Sequence, residues 1–300
     1  MRIIRSIGLL LVAASLLAAC AAFAGRWVPA LDAYASFMPL IAVPALLGLL
    51  LARTRVAAAL AVLALIPVAA AVLPEWTRGI PAARAAQVRI VTHNVWHENP
   101  DPAETAQAIL DAHPDVVLLQ EANGPFRPML AALRQHLPYA TDCPQGCELA
   151  ILSRWPIGDR DYFLKDGAGH SFGPPLLWAR IQPPGAAAFT VATLHYPHPG
   201  PEQARRRAEM AQALSMVPHD DWIVAGDMNL TPWAAAMREQ DAAFAPLTRF
   251  TRSLASWRRP LPVLPIDHLY AGPDWALADA ARLPATGSDH YPLLIQVARR

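Results

Sequence analysis

The chain of 300 residues is 54% hydrophobic and 16% charged, with 30 prolines, which is too apolar for a wholly soluble protein. The excess lies at the front. Up to Pro74 the charged residues are five arginines and Asp32, a balance of +4, which leaves 20 basic and 23 acidic residues, or −3, for the rest. That balance weighs against a basic module that grips nucleic acid through its phosphates, and leaves room for an enzyme whose site brings its own cation.

Residues 6–25, 33–52 and 56–73 hold no charged side chain. A spanning helix needs about 20 mostly apolar residues, so residues 1–74 read as an anchor of about three transmembrane helices seated in a lipid bilayer. Arg2 and Arg5 precede the first span, and Arg53 and Arg55 separate the second from the third. The positive-inside rule then places Met1 and Arg53 in the cytoplasm and everything after Pro74 on the periplasmic or extracellular side of the cell (inner) membrane. Leu17-Ala18-Ala19-Cys20 also resembles a lipoprotein signal, an alternative that puts the remainder on the same side. Cys143 and Cys147 flank Pro144-Gln145-Gly146, too few ligands for a structural zinc but free to pair in an oxidising compartment.

Residues 75–86, with Pro81, Gly79 and several alanines, read as a linker, and a folded domain is expected over 87–300. Val88 to Val91 is the first expected strand. Asp101-Pro102-Ala103-Glu104 supplies an N-cap, a proline at the first helical position and a glutamate reaching back, which starts a helix to about Ala112. Strands follow at Val116 to Leu119 and Leu149 to Leu152, with a helix at Pro128 to His136 between them. Leu176 to Ile181 and Phe189 to Leu194 read as a strand pair around Pro183-Pro184-Gly185. Ala204, Ala208, Ala211 and Leu214 form one stripe of a helix over Pro201 to Val217. Trp222 to Ala225, Ile266 to Tyr270 and Leu293 to Ile295 complete the strands, with Gly226 expected to turn the chain sharply.

Polar residues gather where these strands end. Asn94, Glu121, His195, and Asp227 with Asn229 follow apolar runs, while Asp267 and Asp289-His290 stand at the mouths of two more. Groups collected from separate strands at one rim are how sheet sandwiches build a site. Glu121, Asp289 and Asn94 offer hard oxygens suited to Mg²⁺ or Mn²⁺, and His195 and His290 offer proton transfer near neutral pH.

Asn94-Val95-Trp96, Leu119-Gln120-Glu121, Leu152-Ser153-Arg154, Thr193-Leu194-His195, Gly226-Asp227-Met228-Asn229, Ile266-Asp267-His268 and Gly287-Ser288-Asp289-His290 resemble, in order and near-spacing, the endonuclease/exonuclease/phosphatase family. The resemblance covers about Gln87 to Val297. It implies an α/β fold, a four-layer α-β-β-α sandwich with two mixed β-sheets, and Mg²⁺- or Mn²⁺-dependent phosphoester hydrolysis. By position, Asn94, Glu121 and Asp289 resemble the metal residues. His290 resembles the histidine that touches the scissile phosphate, oriented by Asp267. Asp227 resembles the residue that positions or deprotonates the attacking water, with Asn229 its helper. His195 resembles the second histidine of the deoxyribonuclease branch, and Glu148 falls near the acid that pairs with it there.

The implied substrate is a phosphoester: nucleic acid, phospholipid or small organophosphate. Membrane tethering and the −3 domain lean from duplex DNA, while His195 with Glu148 leans towards the deoxyribonuclease branch. A catalytically inactive, membrane-tethered binding domain is the alternative from another class; it predicts eroded site positions, and the principal ones are all present. No protein partner is implied. Arg154 reads either as a phosphate contact or as a structural strand-end charge, and His93, His97, His198 and His268 as bystanders. Residues 165–175 and 244–265 are the loops available for specificity.

Overall fold

The computed structural model describes residues 1–141, 143–144, 146–259 and 261–300, so Gln145 of the cysteine turn and Pro260 of the 244–265 loop lie outside the described residues. The chain divides into two compact units, one of residues 1–79, 198–204 and 230–240, the other of residues 80–197, 205–229 and 241–300.

The first unit contains α1 (Arg2–Ala24), the short α2 (Pro29–Asp32) with a 3₁₀ turn at Ala33–Phe37, α3 (Met38–Ala52) and α4 (Arg55–Thr77). Three helical stretches, Arg2–Ala24, Pro29–Ala52 and Arg55–Thr77, are long and apolar enough to cross a membrane. α4 continues through Pro74 to Thr77, three residues into the segment expected as linker, with Glu75 buried and paired with Arg78 at 3.0 Å. α1 and α3 approach closely at two glycines: a Cβ on Gly8 would stand 2.5 Å from the Ala52 nitrogen, and one on Gly48 2.5 Å from the Gly8 carbonyl oxygen. Asp32 is buried, and its two oxygens accept from the Ala235 and Ala236 amides at 2.9 Å, while Trp233 Nε1 donates to the Ser36 carbonyl at 3.2 Å.

The second unit is built on strands β1 (Val88–Asn94), β2 (Val116–Gln120), β3 (Tyr139–Ala140), β4 (Ala150–Ser153), β5 (Ile157–Asp161), β6 (Leu164–Lys165), β7 (Ser171–Phe172), β8 (Leu177–Ile181), β9 (Phe189–His195), β10 (Trp222–Asp227), β11 (Thr248–Arg249), β12 (Asp267–Ala271), β13 (Trp275–Arg282) and β14 (Leu293–Arg299). Helices α5 (Pro102–Asp111), α6 (Arg127–Arg134), α7 (Pro201–Ser215) and α8 (Ala235–Ala243) lie between them in the chain. Two six-stranded mixed sheets result, ordered β13-β14-β1-β2-β4-β3 and β11-β12-β10-β9-β8-β5.

Alternation along the strands makes the stack. Ile90, Val116, Leu118 and Ile295 of the first sheet share a core with Val191, Ile223, Ala225 and Leu269 of the second. Val91, Val117 and Leu119 face the other way and pack with Ile109 of α5 and Met129 and Leu133 of α6. α7 carries the chain from β9 to the parallel β10 and buries Met210, Ala213 and Leu214. The expected sandwich of two mixed sheets with helices outside is the fold observed.

Each sheet contains one parallel pair, β1 with β2 and β9 with β10, joined through α5 and α7. Parallel pairing requires such a crossover, and it points two strands of each sheet the same way. Asp101 Oδ1 accepts from the Glu104 amide at 2.8 Å and starts α5, as its sequence predicts. The β13 edge strand was not legible: Trp275-Ala-Leu-Ala-Asp-Ala-Ala-Arg282 has poor strand propensity and is held by β14, with a register shift between Leu277 and Asp279.

Candidate active site

The C-terminal ends of the two parallel pairs supply Asn94, Glu121, His195 and Asp227. β12 runs antiparallel to β10 with Asp267 in register opposite Asp227, and the turn before β14 supplies Asp289 and His290. Gly226 does not turn the chain there. It lies inside β10 at φ 154°, and a Cβ would come within 2.0 Å of the Leu194 carbonyl oxygen of β9. The close approach of the two parallel strands, rather than a bend, requires glycine.

Asp227 sits at the centre. Asn94 Nδ2 donates to Asp227 Oδ2 at 3.0 Å and to Glu121 Oε1 at 2.8 Å, so one buried amide bridges the carboxylates of the two sheets. His195 Nε2 lies 3.5 Å and His290 Nε2 3.7 Å from Asp227 Oδ2. The Asn229 amide donates to Asp227 Oδ1 at 2.9 Å, and Asn229 Nδ2 donates to the Tyr196 carbonyl at 2.8 Å, fixing the turn in which Asn229 adopts φ 49°. Burial raises the Asp227 carboxyl, the neighbouring Asp267 adds to the rise, and His290 and His195 oppose it.

His290 and Asp267 form a buried pair at 2.8 Å between Nδ1 and Oδ2. Burial favours the neutral imidazole, but the charges of Asp267 and Asp227 outweigh it and bring His290 up to about 9. Burial likewise pushes Asp267 up, and the His290 charge, its hydrogen bond and the Ser256 hydroxyl prevail, leaving the carboxyl below its usual range. Ser288 Oγ donates to the Asn94 carbonyl at 2.8 Å and accepts from the His290 amide at 3.0 Å, tying the β14 turn to the end of β1.

Glu121 adopts φ 58°, a left-handed conformation unusual for this residue type. Its Oε2 accepts from the His97 amide at 2.9 Å and lies 2.8 Å from His97 Nδ1. Burial raises this carboxyl, but hydrogen bonds from Asn94 and from the His97 backbone and ring hold it below the usual range. His97, expected as a bystander, is therefore in direct contact with the site. Trp96 at φ 57° turns it there, a conformation that strand and helix periodicity do not register.

Glu148, Arg154, His93 and His268 make other contacts. Glu148 is not brought to His195: its Oε1 accepts from Asn123 Nδ2 at 2.9 Å, while His195 faces Asp227 and Glu121. Arg154 pairs with Asp115, which precedes β2, whereas Glu121 follows it, so this arginine is a strand-end charge away from the rim. His93 and His268 are buried against Thr286 and Thr251. Ser256 and Trp257, in a loop with no recognisable motif, are the contacts sequence reasoning missed: Trp257 Nε1 donates to Asp289 Oδ2 at 3.1 Å.

Residues 91–290 match the model of the endonuclease/exonuclease/phosphatase family. The chain belongs to that family. Members of the family are divalent-metal-dependent phosphoester hydrolases, and the chain is an enzyme of this kind. No curated protein matches the sequence. Among solved structures, the chain is similar to a beta toxin variant from Staphylococcus aureus with bound magnesium ions, at 16% identity and TM-score 0.52 over 70% of this chain and 99% of that one. It is also similar to sphingomyelinase C from Streptomyces griseocarneus (17%, TM-score 0.50, 71% and 99%). A third similar structure is an endonuclease/exonuclease/phosphatase from Beutenbergia cavernae DSM 12333 (20%, TM-score 0.55, 72% and 72%). At such identities the likeness is one of fold.

The residues present fit the divalent cation of the family. Asp289 Oδ1 is buried and accepts no hydrogen bond among the described residues, which is costly for a carboxylate oxygen without a cation. Asp227, Asp267 and His290 bring ligand atoms within 4.8 Å of one another. The Asp267–His290 hydrogen bond and the raised His290 suit that trio to proton handling. Glu121, Asn94 and Asp289 remain as the hard-oxygen set.

Proposed function

We propose that this chain is a membrane-anchored phosphodiesterase that uses Mg²⁺ or Mn²⁺ and acts on a phosphoester at the outer face of the membrane. The observation that carries the reading is the buried Asp227 carboxylate, raised towards basicity and flanked by two imidazoles and the Asn94 amide. Asp227, steadied by Asn229, accepts the proton of an attacking water whose oxygen bonds to phosphorus. The bond from phosphorus to the leaving oxygen breaks, and His195 hands that oxygen a proton. His290, held protonated by Asp267, donates to a non-bridging oxygen and stabilises the charge that develops there. Glu121, Asp289 and Asn94 would hold the cation, which when bound supplies positive charge to the non-bridging oxygens.

Three observations support the anchor over residues 1–74 with the domain of residues 87–300 outside. The Gly8–Gly48 approach packs the first helix on the second, which favours a retained first span over a lipoprotein leader cut at Cys20. Asp32, in the loop after that span, holds residues 235 and 236, so both lie on one side of the bilayer, the outer one by the arginine distribution. Cys143 and Cys147 are joined as a disulfide, in keeping with an oxidising compartment. The tether and the −3 balance of residues 75–300 favour a phospholipid over a nucleic acid or a free small organophosphate. An inactive binding domain finds no support in a site where Asn94, Glu121, His195, Asp227, Asp267 and His290 form one connected network.

The test is hydrolysis of bis(4-nitrophenyl) phosphate and of phospholipid vesicles by the full chain in detergent with Mg²⁺ or Mn²⁺. Glu121→Ala and His290→Ala should each lower kcat by about 10²-fold or more. Activity surviving both changes would sink the mechanism. A reporter fused after Arg300 that works only in the cytoplasm would overturn the outward placement.

A further inference from the structure

Among the described residues none of the four carboxylates Glu121, Asp227, Asp267 and Asp289 pairs with an arginine or lysine; their cationic neighbours are histidines. Arginines nevertheless stand beside the site. Residues 256–259 are stapled to the Asp289–His290 turn: the Tyr291 amide donates to the Ser256 carbonyl at 2.7 Å and the Arg258 amide to the Asp289 carbonyl at 2.9 Å. Trp257 bridges to His290 through the backbone, and its indole reaches Asp289. On this strip, Arg259 Nη1 donates to the Ser288 carbonyl at 3.3 Å and Arg258 lies over the Trp257 ring at 5.7 Å. Arg282, at the end of β13, joins them: its Nη1 donates to the Ala255 carbonyl at 3.1 Å and its guanidinium lies 4.9 Å from the Tyr291 ring centroid.

All three arginines are exposed and none has a carboxylate within ion-pair distance among the described residues, although residues 75–300 carry a net charge of −3. Arg258 adopts φ 81°, a conformation strained for a bulky residue that persists only where its surroundings fix it. Three guanidiniums without a carboxylate partner, two on the strip stapled to the Asp289–His290 turn and one at the end of β13, form an anion-binding subsite and not a solvated charge run. Guanidinium forks match phosphate oxygens, and they repel the cationic end of a choline head group.

We propose that Arg258, Arg259 and Arg282 bind a second phosphate of the substrate, adjacent to the scissile one, so that the preferred substrate is a lipid phosphoester whose head group carries two phosphates. This rests on the hydrolase reading above and names its substrate class. It predicts discrimination between lipids that differ only in that second phosphate.

The experiment compares the full chain in mixed micelles with Mg²⁺ on cardiolipin, phosphatidylglycerol, sphingomyelin and a single-stranded oligonucleotide, with bis(4-nitrophenyl) phosphate as the small diester. Cardiolipin and phosphatidylglycerol share a glycerol head group and differ in the second phosphate. The expected kcat/KM for cardiolipin is at least about tenfold above phosphatidylglycerol and higher still over sphingomyelin. In the Arg258→Ala/Arg259→Ala double variant that ratio collapses towards one, chiefly through KM, and in the Arg258→Lys/Arg259→Lys variant part of it returns because the charge remains. A wild-type ratio near one, a preference for sphingomyelin or the oligonucleotide, or a ratio unchanged in the alanine variant overturns the subsite while turnover of the small diester leaves the hydrolase reading standing. No turnover of any phosphoester overturns both.

Discussion

Replacing Asp267 by asparagine removes the largest of the charges that keep His290 protonated. Burial opposes that proton, yet Asp267 and then Asp227 hold His290 at about 9, against an ordinary value of 6.5. The folded value lies above the unfolded one, so the folded state binds the additional proton between these limits. The resulting stabilisation is fully present below pH 6.5 and is lost as pH rises through 9. At about 1.4 kcal/mol per pH unit, the interval corresponds to roughly 3 kcal/mol, and with His290 buried solvent screening takes little of it. Thermal or denaturant unfolding of the full chain in detergent with EDTA, followed by tryptophan fluorescence, should show a falling limb between pH 6.5 and 9. Asp267→Asn should cut that fall to less than about half, because Asp227 remains near while burial again favours the neutral ring. It should also lower kcat by about 10²–10⁴-fold, since the ring loses its orienting acceptor. An alkaline limb equally steep in wild type and variant would refute the charge assignment.

Three further outcomes follow from neighbouring residues. Burial, then the His290 charge, hold His93 down at about 3, so the folded chain binds fewer protons here and stability falls as pH drops below 6.5. That loss should approach roughly 3 kcal/mol by pH 4.5, and His93→Asn should flatten the acid limb of the same unfolding series. Asp32→Ala leaves two amides at the start of α8 without their acceptor and should lower stability by about 0.5–2 kcal/mol, read as a lower Tm of the full chain in detergent. Gly226→Ala places a methyl 2.0 Å from the Leu194 carbonyl oxygen and should cost more than about 3 kcal/mol, visible as loss of folded yield; a variant with wild-type Tm would show that β9 and β10 can separate freely.

The strand ends were legible because apolar runs are short and each closes on a polar residue, so Asn94, Glu121, His195 and Asp227 could be placed at strand termini without knowing which strands pair. Which termini meet was carried by the family resemblance, since parallel pairing through α5 and α7 depends on contacts between residues far apart in the chain. Gly226 was misread for a related reason: a glycine at a strand end signals a turn locally, and the constraint that fixes it is the Leu194 carbonyl on another strand. Arg154 remained ambiguous until Asp115 supplied its partner, and His97 and Trp257 were hidden because irregular backbone carries no period.

The two sheets divide the chemistry between them, and the division explains why the site needs a sandwich. β1, β2 and the turn before β14 present Asn94, Glu121, Asp289 and His290 from the first sheet, while β9, β10 and β12 present His195, Asp227 and Asp267 from the second. The residues proposed to hold the cation thus lie on one sheet and the carboxylate proposed to activate water on the other. Asn94 crosses between them by donating to Glu121 and Asp227 with a single amide, and His290 crosses in the same sense by donating to Asp267. The buried carboxylates Asp227 and Asp267 of the second sheet are tolerable because a donor from the first sheet meets each of them, so stacking the sheets and assembling the site are one event. Disturbing the inter-sheet core beneath the rim should therefore weaken metal binding and proton transfer together, even where no site residue is changed.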